Sequence, residues 1–235
     1  MEPEPPIRAV VISSANSEWR AVRAAYAHLP AQSSPLGEWF VDEVAVHGQP
    51  EPVVFFHGGW GKIAAAASAQ YVIGRWRPEL LVNLATCGGF AGCIERGTLV
   101  LAERTLVYDI VEQMSDPIAA IAHYTTEIDL SWLREPYPQP VRRALLVSGD
   151  RDLVPADIPW LRERYGAVAG DWESGAIAWV AARQGVRCLI LRGVTDLVGA
   201  DGGEAYADPA IFHDNAALVI ADLLAHLPAW LSCAL

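Results

Sequence analysis

The sequence predicts an α/β fold: one domain of three α/β/α layers around a central mixed, largely parallel sheet. Short β-branched apolar runs alternate with segments of helical character along the chain, as strands joined by crossover helices do. Several of these runs read as buried strands, which requires helices on both sheet faces. At 235 residues, 52% of them hydrophobic, one sizeable core can form, and no internal repeat or long linker divides residues 1–235.

IRAVVISS (7–14) reads as a strand opening into a helix that begins near Glu18-Trp19. PVVFFHGG (52–59) repeats the pattern and leads through Trp60-Gly61-Lys62 into IAAAASAQYVIGRW, where alanine favours helix. After Pro78, ELLVNLAT (79–86) is another buried strand, ending in Thr86-Cys87-Gly88-Gly89. GTLVLAERTLVYDI (97–110) reads as paired strands and ALLVSGD (144–150) as one more. Between them, 112–142 carries Pro117, Pro136, Pro138 and Pro140 and reads as an irregular segment with one short helix. AVAGDWE (167–173) leads into SGAIAWVAARQG, RCLILRGVTD (187–196) is a strand, and 209–227 has the apolar spacing of a closing amphipathic helix.

The charge balance excludes several functions. With 17 Lys plus Arg against 28 Asp plus Glu, the net charge is −11, and Lys62 is the one lysine. No basic cluster exists for nucleic acid or an anionic membrane surface, and no apolar window reaches the ~18 residues of a membrane span. The acidic, Pro-rich start MEPEPPIR has no basic segment, so no secretory leader is expected and a cytoplasmic location is. Cys87, Cys93, Cys188 and Cys233 lack C-x-x-C spacing and read as reduced thiols, and the six histidines form no metal motif. No metal and no cofactor are expected.

In doubly covered sheets, ligands sit at the carboxyl ends of strands. Here those ends carry Ser13-Ser14 with Glu18 beyond, Thr86-Cys87-Gly88-Gly89, Ser148-Gly149-Asp150, Asp171-Trp172-Glu173 and Thr195-Asp196. Taken singly, each serves as a cap or turn. Together, Glu18, Glu173 and Asp196 bring three carboxylates to one sheet edge, more than capping requires.

VVISSANSEW, GGWGKIAAAASA, NLATCGGF, LLVSGD, GDWESGAIA and RGVTDLVG stand in the order and spacing found in the nucleoside phosphorylase/nucleosidase superfamily. The chain most resembles the 5′-methylthioadenosine/S-adenosylhomocysteine nucleosidases over nearly its whole length, with 112–142 the weakest part. The resemblance implies a nucleoside phosphorylase-like fold and a purine nucleoside as the small-molecule partner. Glu18 matches the glutamate that activates water, and Asp196 the aspartate that protonates purine N7. Glu173 matches the glutamate that binds the ribose hydroxyls. Thr86, Cys87 and Gly88 match the loop lining ribose and base, and Leu153, Trp172, Thr195 and Tyr206 fall at further substrate-facing positions. Related enzymes form homodimers, so a homodimer is expected.

The chemistry suits these residue types. Breaking an N-glycosidic bond needs an acid for the leaving purine and a base for water, as in inverting glycosidases. A carboxylate gripping the ribose orients the sugar and stabilises its developing positive charge. In similar phosphorylases an arginine stands three residues before the loop Ser or Thr; here that position is Asn83, and SSANSEW lacks the paired glycines of a phosphate loop. Water is therefore the expected nucleophile, and the shortage of basic residues is expected to extend into the site. Aspartate at 196 can donate to N7 and accept from a 6-amino group, which favours adenine over hypoxanthine. Futalosine hydrolysis and phosphate-dependent phosphorolysis stand as alternatives.

Two positions depart from the nucleosidase pattern. Trp172 replaces a methionine that packs under the ribose; it either reshapes the site or belongs to the core. Asp152, in Arg151-Asp152-Leu153-Val154, replaces a stacking phenylalanine, a loss that Tyr206 can partly offset unless it is an ordinary loop tyrosine. These changes leave open a nucleoside-binding protein without activity. Gly61-Lys62 is not a phosphate-binding P-loop, because Phe56 stands where its first glycine belongs and Ile63 follows the lysine. Lys62 reads as a helix-start residue, Cys87 as a buried thiol, and Trp39, Trp76 and Trp179 as core or interface.

Overall fold

A computed structural model describes residues 6–235. The start of the chain, read above as no leader, lies largely outside the described residues. In chain order the elements are β1 (Ala9–Ser13), α1 (Asn16–Ala25), β2 (Gln32–Ser33), β3 (Glu38–Val46), β4 (Gln49–His57), α2 (Lys62–Trp76), β5 (Leu80–Phe90) and β6 (Leu99–Val107). There follow α3 (Pro117–His123), β7 (Thr125–Glu127), β8 (Arg142–Ser148), α4 (Ile158–Tyr165), β9 (Ala169–Asp171), α5 (Ser174–Gln184), β10 (Arg187–Gly199), β11 (Gly202–Gly203), α6 (Glu204–Ala207) and α7 (Pro209–Ala234).

The strands form one mixed sheet, β11-β10-β6-β8-β9-β5-β1-β4-β3-β2, with β7 added to β6. β1 runs parallel to both β4 and β5, and β5 parallel to β10. β10 pairs with β6 as well as β5, and β9 with both β5 and β8. Five strands thus close into a ring within the central mixed sheet expected from the sequence. The three layers follow from strand alternation. Ala9 and Val11 of β1 face α1 and α7, whereas Val10 and Ile12 face α2 and α5. A third apolar cluster holds Ile121 of α3 and Leu161 of α4 against Leu106 and Val147.

GTLVLAERTLVYDI is a single strand, not a pair. Its Glu103-Arg104 step is a bulge against β8, with the register slipping between Ala102 and Arg104. The 112–142 segment holds one short helix, as expected, and also the three-residue β7. The closing helix runs through Pro228 to Ala234. It is long and apolar enough to cross a membrane by length and composition; here it packs Ile220, Leu223, Leu227 and Trp230 into the core.

Candidate active site

The strand ends named from sequence enclose a cavity of about 540 Å³, within the size range of small-molecule sites. Its wall includes Glu18, Thr86, Cys87, Gly88, Leu153, Trp172, Glu173, Thr195, Asp196 and Tyr206, so the residues matched to catalytic and substrate-binding roles meet in one place, whereas Ser13, Ser14 and the Ser148-Gly149-Asp150 strand end do not line it.

Glu18 lies in the first turn of α1, where a carboxylate complements the helix dipole. Its Oε2 accepts from the Ser14 and Ala15 amides at 3.1 and 2.9 Å, the carboxylate half of a capping box. Its Oε1 accepts from the Thr86 amide and hydroxyl at 2.8 and 2.7 Å. Four donors from two elements therefore fix a residue that is only 1% exposed.

Asp196 is placed by a bulge. β10 follows β5 in parallel register until Val194, opposite Cys87, and resumes with Asp196 opposite Gly88, leaving Thr195 unpaired. Such bulges re-aim side chains beside active sites. The Thr195 hydroxyl donates to Asp196 Oδ1 at 2.7 Å, and Asn215 anchors the Thr195 carbonyl at 2.7 Å. Burial raises the Asp196 pKa above the ordinary aspartate value; the Thr195 hydroxyl opposes this, and the Glu204 and Asp152 charges reinforce it. Gly88 packs here without a side chain, since a β-carbon would sit 3.3 Å from Leu153.

Beneath Thr86, beside Asp171 and Glu173, lies a residue that the sequence reading overlooked. Arg192, 1% exposed, donates from Nη1 to the Thr86 carbonyl at 2.8 Å and to Glu173 Oε2 at 3.2 Å. Its Nη2 donates to Asn83 Oδ1 at 2.8 Å, and its Nε lies 3.2 Å from Asp171 Oδ2. Burial works against this charge, but Asp171, Glu173 and Glu18 together hold its pKa above the usual guanidinium value. The site therefore does contain a basic residue, contrary to expectation. Asn83, standing where a phosphorylase arginine is found, serves as a partner for Arg192. An arginine inside the apolar run LILRGV was the available signal.

Asp171 also accepts from Ser148, from the Ser174 hydroxyl and from the Glu173 and Ser174 amides, which leaves Glu173 the less fully partnered acid. Glu173 accepts from the Gly61 amide at 3.1 Å. Burial pushes its pKa up to about 7; the Arg192 charge opposes the rise, while Asp171 and Glu18 add to it. An unfolded glutamate near 4.5 releases its proton earlier, so the native state binds the extra proton between about 4.5 and 7. Stability is expected to fall as pH rises through that window. Urea midpoints from pH 5 to 8 should show the decline in the wild type and a flatter profile in Glu173→Gln; parallel profiles would contradict it.

Trp172 lines the cavity and meets Trp60 edge-on, with ring centroids 5.3 Å apart, so it belongs to the site wall and not the core. Tyr206 is 45% exposed, yet its hydroxyl donates to the Leu153 carbonyl at 3.2 Å, which fixes it against the same cavity. Asp152 lines the cavity too. Trp60, Arg151, Phe212 and His213 also line the wall, without having been assigned to a site from sequence. Burial pushes the Cys87 thiol far above its ordinary range, which removes it as a nucleophile. Among the described residues no cluster of three or more His, Cys, Asp or Glu side chains is placed to hold a metal.

An acid-lined cleft at the strand ends of a layered α/β domain defines an enzyme-like site for a small molecule. The chain belongs to the phosphorylase superfamily, which it matches over residues 8–228. A curated relative, the 5′-methylthioadenosine/S-adenosylhomocysteine nucleosidase of Geobacillus sp. (strain WCH70), is 25% identical over 184 residues, covering 73% of this chain and 78% of that protein. The Helicobacter pylori 5′-methylthioadenosine/S-adenosylhomocysteine nucleosidase, solved with butyl-thio-DADMe-Immucillin-A, superposes with a TM-score of 0.78 at 13% identity over 96% of this chain and 100% of that one. Native futalosine hydrolase of Helicobacter pylori strain 26695 gives 0.77 at 13% identity, over 95% and 98%. At these identities the solved structures speak for the fold alone.

Proposed function

We propose that this chain is a purine nucleoside N-ribohydrolase that cleaves adenine nucleosides such as 5′-methylthioadenosine or S-adenosylhomocysteine. The observation that carries this reading is the division of labour between Glu18 and Asp196. Glu18 is a fixed acceptor tied to Thr86, and Asp196, opposite Gly88, is an acid whose pKa burial raises. The two stand at opposite ends of the Thr86-Cys87-Gly88 segment, and all five residues line the cavity. In this mechanism Glu18 orients water and takes its proton as the water attacks the anomeric carbon. Asp196 gives its proton to N7 as the purine leaves. Glu173 grips the ribose hydroxyls.

Water is favoured over phosphate because Arg192 is already committed to Thr86, Glu173, Asn83 and Asp171. Arg151, at the cavity wall, is 3.6 Å from Asp157. Among the described residues no other arginine is buried at the cavity to clamp an oxyanion. Chromatography for free base after incubation with methylthioadenosine, S-adenosylhomocysteine, adenosine, inosine and futalosine tests the reading. Adenine should appear from the first two. Hypoxanthine from futalosine alone would reassign the substrate, and binding without any base release would identify an inactive nucleoside-binding protein.

A homodimer belongs to the same proposal. Trp60, Ile63, Val111 and Met114 are 60, 85, 81 and 97% exposed, and the Lys62–Asp109 ion pair brings their two segments together beside the cavity. A second copy covering these side chains would complete the mouth of the site. Sedimentation should give a dimer for the wild type and a monomer with raised KM for the double variant Val111→Glu, Met114→Glu; a wild-type monomer would contradict it.

A further inference from the structure

Lys62, the one lysine of the chain, takes no part in the mechanism above, yet its side chain is only 24% exposed. Its ammonium contacts Asp109, in the loop after β6, and lies 3.9 Å from Asp150 Oδ2, in the loop after β8. Its backbone amide donates to Asp150 Oδ1 at 2.7 Å, and the Asp150 amide donates to Asp109 Oδ2 at 2.9 Å. One ammonium and two carboxylates thus tie together three loops at the sugar side of the cavity. A lysine at the start of a helix opposes the helix dipole, so helix formation alone gives no reason for it.

The residue before Lys62 is Gly61, whose amide donates to Glu173. Gly61 has φ +86° and a β-carbon there would sit 3.1 Å from Asp150 Oδ1, so the Asp150 contact and the glycine conformation are one arrangement. Trp60, one residue earlier, faces Trp172.

We propose that Lys62, through Asp109 and Asp150, is a positioning residue that holds the Gly61 amide on Glu173 and sets Trp60 against Trp172, and so orients the carboxylate that receives the ribose. This rests on the nucleosidase reading for its catalytic consequence but not for its geometry. Glu173 is faced by Arg192 from β10, Asp171 from β9, Glu18 from α1 and the Gly61 amide from the loop before α2. Only the last of these depends on Lys62. The Gly61 amide favours the ionised form of Glu173, and its loss raises the pH at which that proton leaves.

The test compares wild type, Lys62→Met, Lys62→Arg and Asp109→Asn by steady-state kinetics with methylthioadenosine across pH. It also follows hydrogen exchange of the Gly61 amide, which needs no activity. Lys62→Met should lose roughly 10- to 100-fold in kcat/KM, mostly through KM. Its acidic limb should move up by about one pH unit, and Gly61 should exchange faster. Lys62→Arg should recover most of each change, and Asp109→Asn should show the same pattern more weakly. An unchanged acidic limb and unchanged Gly61 exchange in Lys62→Met would overturn the proposal, as would a Lys62→Arg variant no better than Lys62→Met. Were the wild type inert towards every nucleoside, the nucleosidase reading would fail, while Gly61 exchange would still decide the role of Lys62.

Discussion

Asp196→Asn is expected to slow base release by at least about 100-fold, the scale of losing a general acid, with little change in KM. Asparagine keeps the shape of the side chain, its contact with the Thr195 hydroxyl and the bulged pairing of β10 with β5. What it cannot do is give up a proton. Burial holds the Asp196 proton at a pH where an exposed aspartate has lost it, with Glu204 and Asp152 adding negative potential. The variant thus removes an interaction that matters as the C–N bond breaks and not as the nucleoside binds. Its residual activity should also shift towards 6-oxopurine nucleosides, because an amide donates where the carboxylate accepted. Initial rates on methylthioadenosine and inosine read both effects. Near-normal turnover would show that N7 receives its proton from elsewhere.

Arg192→Met should cost about 3–5 kcal/mol of folding stability, the usual consequence of removing one partner from a buried ion cluster. Asp171 and Glu173 have side chains 2 and 7% exposed, and they share one guanidinium. Without it two carboxylates stand buried beside Glu18. The loss should be larger at pH 8 than at pH 5.5, since burial raises the Glu173 pKa, removing the Arg192 charge raises it further, and protonation at the lower pH relieves the remaining repulsion. Combining Arg192→Met with Asp171→Asn and Glu173→Gln should recover much of the stability, because a neutral cluster carries no unpaired charge. Urea denaturation at the two pH values measures this. A loss below about 1 kcal/mol for the single variant would mean that water reaches the cluster.

Why some of this was legible in the sequence and some was not comes down to where the polar residues lie. β1, β5 and β10 are apolar runs that end in polar residues, so strand, strand end and candidate carboxylates could be read together. β3 was missed because Asp42 and Glu43 interrupt its apolar pattern, although it pairs with β4 over nearly its full length. The stretch 97–110 reads as paired strands but is one strand, β6, in which Glu103 and Arg104 form ion pairs at the bulge, with Arg143 and Glu127. α4 went unread, with Pro155 and Pro159 marking its start.

In the site, Glu18, Glu173 and Asp196 stood out because each follows an apolar run. Arg192 did not, because it lies inside one, and its partners Asn83, Asp171 and Glu173 come from segments distant in sequence. The low count of basic residues pointed to a site without arginine. The structure instead shows one buried arginine engaged by Thr86, Glu173, Asn83 and Asp171, and that engagement supports hydrolysis better than absence did. Trp60 carried no sequence signal of its own; only its meeting with Trp172 places it in the wall.

The identity of the nucleophile is the centre of this account. Methylthioadenosine turned over in ¹⁸O-labelled water containing inorganic phosphate, with the sugar product analysed by mass spectrometry, tests it directly. Free methylthioribose carrying ¹⁸O, formed at a rate independent of phosphate, is the expected product. Unlabelled sugar 1-phosphate, formed only when phosphate is present, would contradict the account.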